Sequence, residues 1–182
     1  MKLKFIPLCL LTAALIWALA GCGEGSEPPL LLAIELAYWE ETQPLIERAV
    51  LEGGTPLSEV YLGRYSGLLE GNVDDWEQYV AAVDIALPVY EGTLAKWLKI
   101  QPPSAGKAHE LHTAYGLAWS KRVGQLSAIS VGWRTGDEEL LQDGVAGMDT
   151  ASAFGRDAEA LRVRFNTYLV EQCSIHRLPE CS

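Results

Sequence analysis

Between Asn72 and Trp97 the residues Trp76, Val80, Val83, Leu87, Tyr90, Leu94 and Trp97 recur at steps of three or four. That period lays a single apolar stripe along an α-helix. It returns in three more stretches, and no segment alternates with period two for long enough to demand a strand. From Leu30 to about Leu51, Leu31, Ile34, Tyr38, Leu45 and Ala49 form the expected inward line, with Pro44 set to bend or divide it. Glu52-Gly53-Gly54-Thr55-Pro56 is expected to stop this helix. From about Lys107 to Gly132 the line is His112, Tyr115, Trp119, Val123, Leu126, Ser130 and Trp133. From Glu138 to about Cys173 it is Leu141, Val145, Met148, Ala151, Gly155, Ala158, Leu161, Phe165 and Leu169, with alanine and glycine concentrated in the middle.

The boundaries carry their own signals. Asn72 can cap the helix that contains Trp76, with Asp74 and Asp75 in its first turn. Pro88 lies inside that helix and should kink it. Gln101-Pro102-Pro103-Ser104-Ala105-Gly106 is a clear break. Thr135 and Glu138 have capping-box spacing, with Asp137 as a rival cap. The region Leu57–Gly71 reads as a short helix weakened by Gly63 and Gly67, or else as a long loop. The expected class is all-α: an up-down four-helix bundle with kinked helices and an extra short helix at 57–70.

The first residues are of a different kind. Lys2 and Lys4 precede an uncharged apolar run from Phe5 to Leu19, long enough for a signal-peptide core and short for a spanning helix. It ends in Leu19-Ala20-Gly21-Cys22, which resembles the lipobox of bacterial lipoproteins. The resemblance implies cleavage before Cys22 and lipid on its thiol, with palmitate among the acyl groups. It divides the chain into a signal peptide 1–21, a tether 22–29 and one domain 30–182. It also implies an extracytoplasmic cell-envelope location, anchored to a membrane. Gly23 in place of aspartate favours the outer membrane where the source has two. The alternative is an ordinary secretory peptide cut near Ala18-Leu19-Ala20. In an oxidising compartment Cys173 and Cys181 would be a natural disulfide pair pinning the tail to the last helix. The domain also resembles extracytoplasmic four-helix lipoproteins of unknown function, in layout only.

The formal charge is −10, and removing Lys2 and Lys4 with the signal peptide would take it to −12. Such a surface disfavours nucleic acid and anionic lipid as partners. No phosphate loop, nucleophile elbow, haem-attachment or zinc-protease motif occurs, so no enzyme and no cofactor is expected. His109 and His112 are the weak candidates for a metal, three places apart on one helix. A di-metal bundle would need Glu-x-x-His, but the positions three before them are Gly106 and His109. Trp39, Trp76, Trp97, Trp119 and Trp133 either pack a core or line a cavity between helices. The leading expectation is a non-enzymatic envelope lipoprotein, a scaffold or protein-binding domain whose partner is another envelope protein. The alternatives are a small-ligand-binding or sensory bundle with an aromatic-lined cavity, and metal handling through His109 and His112.

Overall fold

The computed structural model describes residues 30–104 and 106–176. The expected signal peptide 1–21, Cys22, the expected tether 22–29 and Cys181 lie outside the described residues. The fold is an all-α, up-down four-helix bundle. Its first rod is composite: α1 (Leu30–Arg48), a π-helical segment Ala49–Gly54, then α2 (Thr55–Leu69). The other rods are α3 (Val73–Trp97), α4 (Lys107–Thr135) and α5 (Glu138–His176). No strand occurs among the described residues, and no helix among them is long and apolar enough to cross a membrane.

The expected stop at residues 52–56 is corrected: the chain stays helical and widens by one residue instead. The Thr55 amide and hydroxyl both reach back to the Val50 carbonyl, the hydroxyl at 3.1 Å. Pro56, with no N–H to offer, falls in the first turn of α2, where none is needed. The space for this wide turn comes from Gly53 and Gly54. A Cβ on Gly53 would lie 2.9 Å from the Tyr90 ring, and one on Gly54 would lie 3.1 Å from the Tyr90 hydroxyl. Residues 55–69 are helix rather than loop, docked on α3 by the Arg64–Asp75 ion pair at 2.7 Å and the Trp76 indole donating to the Leu68 carbonyl at 3.2 Å.

The inward line of α1 is also corrected. Leu31 and Ile34 are exposed, and the buried line is Leu32, Glu35, Tyr38, Thr42, Ile46 and Ala49. Two polar residues hide this phase from an apolar count. Thr42 is accommodated because its hydroxyl donates to the Tyr38 carbonyl one turn back, at 2.8 Å.

At the start of α3 the Asn72 side chain accepts the Asp75 amide at 3.2 Å, as expected of a cap. At the start of α5 the rival wins: Asp137 accepts the Leu140 amide at 3.0 Å, while the Thr135 hydroxyl turns back to the Val131 carbonyl. Between them α4 ends on Gly136 at φ 70°, with Asp137 N–H bonded to the Gly132 carbonyl at 2.9 Å.

The α4–α5 hairpin is the closest contact in the bundle. Built Cβ atoms on Gly132 and Gly144 would approach the backbone nitrogens of Leu141 and Ile129 to 2.6 and 2.8 Å. The core holds Trp97, Phe165, Leu32, Leu111, Leu126, Ile129 and Val83, each below 2% exposed.

Of the pair expected to clasp the tail, Cys173 and Cys181, only Cys173 lies among the described residues. Cys173 is buried on α5 and is a disulfide cysteine, and Cys181 lies outside the described residues.

Candidate functional site

Where the π-helical segment meets α3, α4 and α5, the rods part and leave a cavity of about 670 Å³. Ile46, Val50 and Leu51 form its side on the first rod, Tyr90 faces in from α3, and Tyr115 and Trp119 from α4. Ala151 and Gly155 line it from α5, so the small residues in the middle of that helix leave room as well as permitting close approach. A second cavity of about 390 Å³, lined by Leu57, Tyr61, Tyr65, Tyr79 and Met148, lies next to it. Tyr90 and Arg122 line both and mark the junction. The wide turn is therefore part of the site: it supplies Val50 and Leu51 to the first cavity and Gly54 to the second. Single π turns within α-helices often sit at functional sites.

The polar lining of the first cavity comprises the exposed Gln43–Glu47 pair, Arg122 and a cluster of Tyr115, Glu159 and Arg162. Tyr115 donates to Glu159 at 2.9 Å, and Arg162 grips the same carboxylate with Nε at 2.7 Å and Nη2 at 2.5 Å. The Arg162 hydrogen bond chiefly holds the Glu159 carboxyl below its ordinary range, helped by Tyr115 and opposed by desolvation. Burial and then the adjacent Glu159 push the Tyr115 phenol well above its usual value. The cluster carries no net charge, and its phenol is fixed and protonated. Nothing in it resembles a nucleophile with its base.

The aromatic residues divide between the two roles weighed from sequence. Trp97 is fully buried, in contact with the rings of Tyr38, His112, Tyr115 and Trp119. Trp39 packs on Phe165, and Trp76 stacks on Trp133 at 6.1 Å. Trp119 belongs to the core and to the cavity wall together.

His109 and His112 are engaged by different partners. His109 is exposed, with Nδ1 3.1 Å from the Pro103 carbonyl. His112 lies against the ring of Trp97 at 4.9 Å and 11°, with Nδ1 hydrogen-bonded to the Tyr38 hydroxyl at 3.1 Å. Among the described residues no group of three or more His, Cys, Asp or Glu is placed to hold a metal ion. Desolvation, and then the nearby His109, lower the pKa of His112. The unfolded chain therefore takes up the proton first as pH falls. Stability should be fully present above about pH 6.5 and decline below it. Denaturant midpoints of His112→Gln, compared with wild type between neutral pH and about pH 5, should show a flatter acid slope. An unchanged slope would remove His112 as the cause.

Sequence reading missed three contributors: Arg122, the Glu159–Arg162 pair and the wide turn. Arg122 had a detectable signal. It lies three after Trp119 and four before Leu126, in phase with the buried line, where a cation is out of place.

Compared with known proteins, the chain matches no family model, no curated protein and no solved structure.

Proposed function

We propose that this protein is a small-ligand-binding helical bundle whose cavity takes a mainly apolar molecule. The observation that carries the reading is the 670 Å³ cavity at the wide turn, walled by Tyr90, Tyr115 and Trp119 and bordered by the self-neutralised Tyr115–Glu159–Arg162 cluster. Its volume and lining are those of ordinary small-molecule sites. At the roughly 30 Å³ that a water occupies in the liquid, it has room for about 20 non-hydrogen atoms. Binding rather than catalysis fits a cluster whose groups are already paired with one another. Ligand binding is preferred to a scaffold role because the distinctive feature is a concave site between helices. The lipobox resemblance at Cys22 supplies the address: a domain held at a cell-envelope membrane by lipid, where it would sense or carry its ligand. Incorporation of labelled palmitate, lost in Cys22→Ser, tests that address separately.

Gly155 offers a direct test of the cavity. A Cβ built there meets nothing within 4 Å, so Gly155→Phe directs a ring into the open space without striking the backbone of a neighbour. The full chain should bind the neutral fluorescent probe N-phenylnaphthylamine, and Gly155→Phe should abolish that binding while circular dichroism and the melting transition stay close to wild type. Equal probe binding by the two proteins would refute the assignment of the site to this cavity.

A further inference from the structure

Three cationic side chains are half-buried among the described residues: Arg64, Arg122 and Arg162. Arg64 is paired with Asp75 and Arg162 with Glu159. Arg122 has no such partner among the described residues. Its contacts are neutral: Nη2 donates to the Ser152 hydroxyl at 3.1 Å, and Nη1 lies 3.7 Å from the Met148 sulfur. A guanidinium carries five N–H donors in a fixed fork, so three of them are without a protein acceptor among the described residues. Tyr79 and Tyr90 flank this cation, and neither hydroxyl makes a hydrogen bond among the described residues.

A partly desolvated cation is costly unless an anion meets it. The carboxylates that line the two cavities do not meet it. Glu159 is taken by Arg162 and Tyr115. Glu47 is exposed and bonded by Gln43 at 2.8 Å. Asp149 is exposed on the second cavity and forms no ion pair with Arg122. Ser152 and Met148 hold the guanidinium in place without neutralising it.

We infer that Arg122 anchors the head group of the ligand, and that the ligand is a singly charged anionic amphiphile: a carboxylate on an apolar body. The head sits where the cavities join, received by the guanidinium fork with the Tyr90 hydroxyl within reach. The body lies in the larger cavity against Ile46, Val50, Leu51 and Trp119. A planar fork matches a carboxylate with two parallel hydrogen bonds. One guanidinium without a carboxylate partner takes one carboxylate. The inference deepens the cavity reading and rests on it.

The test compares dodecanoate, dodecanol and dodecylammonium, each below its micelle-forming concentration, as competitors for N-phenylnaphthylamine on the full chain. Wild type should bind dodecanoate about tenfold to a hundredfold more tightly than dodecanol, the range of a charge-assisted hydrogen-bond pair. Dodecylammonium should be the weakest. Arg122→Gln should bring the carboxylate-to-alcohol ratio close to one, and Arg122→Lys should restore part of it. Lys121→Gln, an exposed cation on the same helix, should leave the ratio unchanged. Equal binding of acid and alcohol by wild type, or a ratio that survives Arg122→Gln, overturns the role of Arg122 while leaving a ligand cavity in place. If the folded wild type binds neither the naphthylamine probe nor any of the three amphiphiles, the cavity reading fails and the head-group assignment with it.

Discussion

Trp97→Ala should lower the unfolding free energy by about 3–5 kcal/mol, the range for deleting a large buried aromatic side chain. Trp97 is fully buried, so the whole indole would become cavity. The variant also loses a specific hydrogen bond, because the indole N–H donates to the His112 carbonyl at 3.0 Å. Its ring meets Trp119 edge-on at 4.9 Å and 78°, and Trp119 is a wall of the ligand cavity. Naphthylamine binding should therefore weaken along with stability. Trp97→Phe keeps an aromatic ring but leaves the carbonyl without its indole donor, and should cost a smaller amount, about 1–3 kcal/mol. Guanidinium unfolding followed by circular dichroism separates the two. A loss below about 1 kcal/mol for the alanine variant would mean that the bundle does not depend on this cluster.

The helical class was legible because each rod carries a stripe at the right period, and three and four are hard to mistake for two. Trp76, Val80, Val83, Tyr90 and Trp97 all face the core or its edge as the spacing implied. In α1 the apolar residues alone give the wrong phase, because burial there includes Glu35 and Thr42, and hydropathy cannot see a hydroxyl satisfied by its own helix. Gly-Gly-Thr-Pro is ordinarily a breaker, so the wide turn looks like a stop in the sequence. What keeps it helical is a tertiary partner, the Tyr90 ring that fills the space beside Gly53. That contact joins residues 37 positions apart and leaves no local trace.

The candidate site was less legible for a related reason. An aromatic-lined cavity could be named from tryptophan content but not placed, since its walls come from α1, the π-helical segment, α3, α4 and α5. The histidines drew attention because metals favour them, yet His112 is spent on Tyr38 and Trp97. The side chain that carries the charge argument is an arginine beside a lysine, a pair that ordinarily signals a solvated face. Only the helical phase separates them: Lys121 is exposed, and Arg122 turns toward Ser152.

Gly132→Ala should destabilise the fold by about 1–3 kcal/mol or more, although alanine is the better helix former. The added methyl would lie 2.6 Å from the Leu141 nitrogen and 2.8 Å from its Cα, both backbone atoms, so no rotamer change relieves the overlap. The α4–α5 crossing must open, and Gly144 on the facing helix reports the same constraint against the Ile129 nitrogen at 2.8 Å. Gly124 supplies the opposite sign. It lies on the exposed side of α4, and a Cβ there meets nothing within 4 Å. Gly124→Ala should therefore raise stability by up to about 1 kcal/mol through helix propensity alone. The pair is informative because the chemical change is identical and only the neighbour differs. Thermal and guanidinium unfolding of the two variants should move in opposite directions. If both are stabilised, the close helix crossing is absent in solution. The cavity beside it, whose floor at Ala151 and Gly155 depends on how α5 lies against α4, would then need a different shape.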